Sequence, residues 1–128
     1  MDKERICLDT SVLIDYYRKK DKTKTLFVTL SYKYSFAISV ITKLEILTGI
    51  VENQKIFWNN IFENLEIIPL NEDDVEIAAE IIRNLTKRNK IIGIKDILIG
   101  ATAVSKSMKL ATLNKKEFVR IENLELVE

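Results

Sequence analysis

The chain reads Ile6-Cys7-Leu8-Asp9-Thr10-Ser11 near its start, so a carboxylate follows directly on a short apolar run. An apolar run of this length predicts a buried central strand. An ionised carboxylate at the end of such a strand needs a partner or a cation, because removing its charge from water is costly. Thr10 or Ser11 is a suitable N-cap for a helix that follows. The segment therefore predicts an α/β fold with Asp9 at the edge of its sheet.

Two further acids stand in apolar surroundings. Glu45 lies within the stretch Ile38–Leu47, and Asp96 directly precedes Ile97–Ile99. Three clustered acids would repel one another without a cation, and some would take up protons instead. The chain has no histidine, and Mg²⁺ and Mn²⁺ prefer oxygen ligands. We therefore expect these acids to hold Mg²⁺ or Mn²⁺, whose usual chemistry in such a setting is phosphodiester hydrolysis.

The composition fits a single globular domain spanning residues 1–128. Apolar residues make up 47% of the chain and charged residues 30%, which is typical of a folded protein. The opening residues 1–5 lead into an apolar run far shorter than that of a secretory signal, and no stretch approaches the length of a membrane span. We therefore expect a cytoplasmic protein without membrane contact. Its single cysteine, Cys7, is expected to be a core residue.

Predicted strands alternate with predicted helices along the chain. The strands are Arg5–Asp9, Tyr34–Ile38, Leu65–Leu70 and Lys109–Leu113, with a short final edge strand at Leu124–Val127. The helices are Ser11–Lys20, Lys24–Lys33, Ser39–Asn53, Lys55–Asn64, Asn71–Asn89 and Lys95–Ser107. This alternation predicts a three-layer α/β/α fold with a mainly parallel central sheet. Ligands of such sheets bind beyond the carboxyl ends of the strands, and that edge gathers four candidate residues: Asp9, Glu45, Asp96 and Asn114.

Glycines follow two of the acids by one helical turn. Gly49 comes four residues after Glu45, and Gly100 comes four residues after Asp96. Residues four apart share a helix face. Each glycine either leaves room beside the acid for substrate or water, or lets two segments pack closely, and the sequence leaves both interpretations open.

Other acids are expected to have structural roles. Glu72, Asp73 and Asp74 fall at a predicted helix start, where the helix dipole favours negative charge. Asp15 is expected either to face solvent or to pair with Lys19, which follows it by four residues on the same helix face. We therefore leave these acids out of the predicted site.

Four segments follow one another in order over nearly the whole chain: Leu8–Asp15 (LDTSVLID), Glu45–Gly49 (EILTG), Ile94–Ala103 (IKDILIGATA) and Leu110–Phe118 (LATLNKKEF). Together they resemble the PIN-domain ribonucleases of the VapC toxin type. The resemblance implies that Asp9, Glu45 and Asp96 are the metal-binding acids. It also implies that Thr10 or Ser11 supplies a hydroxyl that supports the first acid.

The fourth position of the family pattern differs in this chain. Many members have an aspartate after the threonine of the last motif, whereas here Asn114 follows Thr112 and Leu113. Asparagine offers a neutral oxygen, which can ligate or orient water but adds no charge. Thr112 is expected to support the site, and Glu117 is the other candidate for the missing acid. The substitution puts a tightly held second metal in doubt.

The resemblance also implies a function. It implies a metal-dependent endoribonuclease that cuts tRNA or rRNA as the toxin of a toxin–antitoxin pair, forms a homodimer and binds a cognate antitoxin. Basic residues near the expected site would contact RNA phosphates, which positions the strand without reading its sequence. The candidates are Lys87, Arg88, Lys95 and Lys115. The stretch Arg83–Lys95 contains five basic residues and no acidic ones, and such a basic run is more commonly a solvated helix face.

Two other classes of protein fit parts of the sequence. A phosphoryl-accepting regulatory domain also has an acidic magnesium pocket, but it needs a second acid beside Asp9, and this chain has none there. A PIN-like protein that processes RNA, or binds RNA or protein without cutting, fits the sequence as well as a toxin does. Growth arrest on induced expression would favour the toxin.

Overall fold

Four parallel strands form the central sheet of the computed structural model, which describes residues 2–128. They are β1 (Glu4–Leu8), β2 (Tyr34–Ser39), β3 (Glu66–Ile68) and β4 (Leu110–Ala111), in the spatial order β3-β2-β1-β4. Leu8, the last residue of β1, pairs with Ile38 of β2 and with Ala111 of β4. The carboxyl ends of these three strands are therefore in register, and Asp9 leaves the sheet at its centre.

Helices cover both faces of the sheet. They are α1 (Thr10–Arg18), α2 (Leu26–Ser31), α3 (Val40–Gly49), α4 (Lys55–Glu63), α5 (Glu72–Lys87), α6 (Ile94–Ser105) and α7 (Lys115–Phe118). Alternate residues of β1 enter different cores: Ile6 and Leu8 pack with residues of α1 to α4, and Cys7 packs with residues of α5 to α7. The predicted three-layer α/β/α fold with a parallel sheet is confirmed. Within residues 2–128, no helix combines the length and the apolar character needed to cross a membrane.

The helix predicted over Ser39–Asn53 is too long. It ends at Gly49, Ile50 is extended, and a separate 3₁₀ turn follows at Glu52–Gln54. Glycine is a poor helix former, and the extended backbone of Ile50 ends the hydrogen-bonded ladder.

The C-terminal part of the sheet is shorter than predicted. β4 ends at Ala111 because Thr112 and Leu113 turn toward the acids, where they bond Asp9 and Ser11. The predicted edge strand Leu124–Val127 contributes only an isolated bridge, between Leu126 and Leu110. The single-turn helix α7 was not predicted, since four residues are too few for a periodic pattern.

The acids given structural roles behave as predicted. The backbone N–H of Asn71 donates to Asp74 Oδ2 over 2.9 Å at the start of α5, and Lys19 Nζ lies 3.4 Å from Asp15 Oδ1. Cys7 is fully buried, and this burial raises the pKa of its thiol to about 12. Cys7 is therefore an inert core residue at physiological pH.

The two helical glycines have different surroundings. A Cβ atom on Gly100 would lie 2.6 Å from Ile121 Cδ1, whereas a Cβ atom on Gly49 would meet nothing within 4 Å. The space beside Asp96 is thus filled by the C-terminal segment, which confirms close packing at Gly100. The space beside Glu45 is open.

We expect Gly100→Val to lower the free energy of unfolding by about 2 kcal/mol, because overpacking a full core forces neighbouring side chains to move. Gly49→Val introduces the same side chain into open space, and it should change stability by less than about 0.5 kcal/mol. Urea unfolding of both variants gives the comparison. Equal losses at the two positions would mean that valine's effect on the helix, rather than packing, sets the cost.

Candidate functional site

Asp9 is the most buried acid of the site, with only 4% of its surface exposed. Ser11 Oγ donates to its Oδ1 over 2.6 Å, and Thr112 Oγ1 donates to its Oδ2 over 2.7 Å. Both hydroxyls accept a backbone N–H in turn, from Leu113 at 3.0 Å and from Asn114 at 2.8 Å. The carboxylate is therefore held at both oxygens by side chains that the backbone orients.

Burial and hydrogen bonding act on Asp9 in opposite directions. Desolvation raises the pKa of its carboxyl above the ordinary value, and the hydrogen bonds from Ser11 and Thr112 lower it only in part. The hydrogen bonds within the protein therefore stabilise the ionised carboxylate by less than the hydration that it loses on burial. A cation beside Asp9 would restore the missing interaction.

Glu45 lies in the second turn of α3 and is half-buried. Its Oε1 accepts a hydrogen bond of 2.6 Å from Thr10 Oγ1, and the same hydroxyl lies 3.2 Å from Thr42 Oγ1. Of the two hydroxyls expected to support the first acid, Ser11 therefore does so. Thr10 supports the second acid instead, because it belongs to a different face of α1.

Asp96 lies in the first turn of α6. Its pKa is raised above the ordinary value by burial and by the negative charges of Asp9, Glu45 and Glu117. Acids from three helices (α3, α6 and α7) and from the end of the central strand β1 thus act electrostatically on one another. This electrostatic influence agrees with the prediction that Asp9, Glu45 and Asp96 lie near one edge of the sheet.

The donors around this site fit a hard cation such as Mg²⁺ or Mn²⁺. They are carboxylate, hydroxyl and amide oxygens, with no nitrogen or sulfur among the candidate ligands. Within residues 2–128, no three acidic or cysteine side chains stand close enough together to form a complete ligand group.

The two candidates for the fourth position are Asn114, the residue before α7, and Glu117, within α7. Asn114 is exposed, and its side chain makes no capping hydrogen bond to α7. Glu117 lies on α7, where its Oε2 is 3.6 Å from Arg120 Nη1. The side-chain amide of Asn114 is therefore exposed and does not cap α7. Glu117 contributes negative charge at Asp96 while it is paired with Arg120.

The basic candidates for RNA binding differ in whether their side chains form hydrogen bonds within the protein. Arg88 donates to Asn84 Oδ1 over 2.9 Å and to the carbonyl of Arg120, so its side chain ties α5 to the C-terminal segment. Lys87 is exposed near the end of α5. Lys95 and Lys115 are exposed on the first turns of α6 and α7, close in sequence to Asp96 and Asn114.

Sequence reasoning missed Thr42. This residue is fully buried, yet its hydroxyl belongs to the network at Glu45. The sequence feature that could have identified Thr42 is its place in a largely apolar helix, three residues before Glu45 and so on the same helical face.

Comparison with known proteins gives one family. The PIN domain model matches residues 6–124. Ribonuclease VapC1 of Methanocaldococcus jannaschii is 36% identical over 126 residues, which are 98% of this chain and 87% of that protein. Ribonuclease VapC1 of Rickettsia felis is 35% identical over 130 residues, with 95% of this chain and 94% of that protein covered.

Solved structures agree with the sequence comparison. VapBC2 from Rickettsia felis, bound to a DNA fragment from its promoter, has a chain that superposes with a TM-score of 0.81 at 29% identity, covering 96% of this chain and 97% of that one. VapBC-1 from nontypeable Haemophilus influenzae gives a TM-score of 0.83 at 25% identity, with 97% of each chain covered.

Proposed function

Because this chain belongs to the PIN domain family, we propose that it is an endoribonuclease that acts as the toxin of a toxin–antitoxin pair. The similar proteins named ribonuclease VapC cover nearly its whole length. The observation that carries the proposal is the buried Asp9 at the carboxyl end of the central strand, within the same field as Asp96 and Glu45. Acids near this edge of the sheet, with Asp9 held at both oxygens, suit the hydrolysis of a phosphodiester with a divalent cation.

We propose that Asp9, Asp96 and Glu45 hold Mg²⁺ or Mn²⁺, directly or through water. When bound, the ion supplies activation of a water molecule and stabilisation of charge on the phosphate oxygens. Ser11 and Thr112 keep the carboxylate of Asp9 in one orientation. Asn114, with its free side-chain amide, orients water or completes the outer shell.

The absence of histidine bears on how the cleavage reaction is catalysed. Ribonucleases that work without metal commonly use imidazole as acid and base near neutral pH, and this chain contains no histidine. Lys95 and Lys115 are exposed and close in sequence to Asp96 and Asn114, and we propose that they contact RNA phosphates. Such contacts position the RNA strand without reading its sequence. We propose that the target is tRNA or rRNA and that the protein selects it by the shape of the RNA.

The similar structures support the proposal of an antitoxin partner. These are VapBC proteins, and we propose a cognate antitoxin that reaches the acidic edge with arginine, whose guanidinium pairs well with carboxylates. We also propose a homodimer. A toxin that cuts tRNA or rRNA acts where translation takes place, so we propose that the protein works in the cytoplasm.

The direct test is cleavage of total RNA by the purified protein. We expect fragments in the presence of Mg²⁺, loss of cleavage with a chelator in excess, and recovery when Mg²⁺ or Mn²⁺ is added back. The Asp9→Asn protein, purified in the same way, controls for contaminating ribonuclease. Cleavage that persists in the chelator and is equal in the two proteins would rule out the proposed mechanism.

A further inference from the structure

We propose that Thr42 and Thr10 form a directed hydrogen-bond chain that positions the carboxylate of Glu45 for the cation. Both threonines are then positioning residues, acting through Glu45 rather than on the RNA. This inference rests on the proposed function, because it concerns the same acidic site. It also assigns a role to Thr42, which the family motifs quoted above do not contain.

The direction of the chain follows from the distances and from the protons available. Thr10 Oγ1 is 2.6 Å from Glu45 Oε1 and 3.2 Å from Thr42 Oγ1. A hydroxyl has one proton to donate, and a carboxylate can only accept. The shorter contact has the length of a hydroxyl bonded to an ionised carboxylate. Thr10 therefore donates to Glu45, and Thr42 donates to Thr10.

The surroundings of Thr42 maintain this direction. Thr42 is fully buried, so water does not compete for its hydroxyl. Thr10 begins α1 directly after Asp9, and Thr42 and Glu45 lie three residues apart on one face of α3. The hydrogen-bond chain thus joins α1 to α3 at the site, and it couples the position of Glu45 to that of Asp9.

The two acids are held in different ways. Asp9 accepts a side-chain hydroxyl at each oxygen, from Ser11 and Thr112. Glu45 is bonded through Oε1 alone within the part of the chain that the structure describes, which leaves Oε2 for a cation or its water. A glutamate side chain on a helix surface otherwise rotates freely among several rotamers. Thr10 is the contact that selects one of them.

The test measures Mn²⁺ binding by titration calorimetry on the full chain without RNA. We expect Thr10→Val to weaken Mn²⁺ binding by about 10-fold to 100-fold, the usual effect of removing a group that orients a metal ligand. Thr10→Ser keeps the hydroxyl and should restore binding to within about threefold of the original protein. Thr42→Val should give an intermediate loss, because Thr10 can still donate to Glu45 without it.

Thr48 provides a matched control on the same helix. Its hydroxyl donates to the backbone carbonyl of Glu45 over 2.9 Å rather than to the carboxylate, so Thr48→Val should leave Mn²⁺ affinity unchanged. Thermal unfolding in chelator establishes that each variant is folded. If Thr10→Val fails to fold, Thr10→Ala replaces it with the same expected loss.

The outcomes separate this inference from the proposed function. If the original protein binds Mn²⁺ and folded Thr10→Val binds it equally well, the inference is wrong while the metal site stands. If folded Thr10→Ser is as weak as Thr10→Val, the methyl group rather than the hydroxyl matters, and the inference is again wrong. If the original protein binds no Mn²⁺, both the metal-dependent mechanism and the inference are overturned.

Discussion

Replacing Asp9 by asparagine is expected to slow RNA cleavage by about 100-fold to 1000-fold, which corresponds to several kcal/mol of lost transition-state stabilisation. Asparagine offers a neutral oxygen, and its amide would face one of the two hydroxyls, on Ser11 or Thr112, that now donate to the carboxylate. The measurement is single-turnover cleavage at saturating Mg²⁺. Induced expression in a bacterial host should show the same contrast, with growth arrest for the original protein and none for Asp9→Asn.

The loss of activity should not come from loss of the fold. Burial raises the pKa of Asp9, so its charge opposes folding when no cation is bound. Removing that charge offsets the weaker hydrogen bonds of asparagine. We therefore expect the free energy of unfolding of the variant, measured in chelator, to lie within about 1 kcal/mol of that of the original protein. Cleavage at the original rate by a folded Asp9→Asn protein would exclude Asp9 from the reaction.

Replacing Asp96 by asparagine is expected to weaken binding of Mn²⁺ by about 100-fold, a loss of roughly 3 kcal/mol. The negative charges of Asp9, Glu45 and Glu117 act on Asp96, so its carboxylate is part of the charge that a cation neutralises. Asp73 gives a matched control, because it is an exposed acid in the first turn of another helix. Asp73→Asn should bind Mn²⁺ as the original protein does, and equal losses in the two variants would contradict a local site.

Stability against pH gives an independent measurement on the same variant. The pKa of Asp96 is raised above its ordinary value of 3.8 in the folded protein, so at pH values between the ordinary and the raised pKa the folded state holds more protons than the unfolded state. The contribution of Asp96 to stability is therefore present at low pH and is lost as the pH rises through its raised pKa. In chelator, Asp96→Asn should become progressively more stable relative to the original protein as the pH increases. Urea unfolding at several pH values measures the difference, and a difference that shrinks with pH would contradict the shift.

Much of the architecture could be predicted from local patterns along the chain. The run before Asp9 is a central strand because residues 6–8 are all apolar, and a strand covered on both faces needs apolar side chains pointing each way. The alternation of strands and helices then allowed few arrangements other than a parallel sheet between helical layers. Since parallel strands end at one edge, the gathering of Asp9, Glu45 and Asp96 was also predictable.

The pairing of hydroxyls with acids was decided only in three dimensions. Thr10 and Ser11 are neighbours in sequence and similar in chemistry, yet Ser11 bonds Asp9 and Thr10 bonds Glu45. Successive residues of a helix point in directions about 100° apart, so each hydroxyl reaches whatever the packing places on its side. Thr112 reaches Asp9 across 103 residues of chain, a contact that depends on β4 lying beside β1. Local sequence sets the direction of each side chain relative to its own helix or strand, whereas the position of the neighbouring element determines which partner it meets.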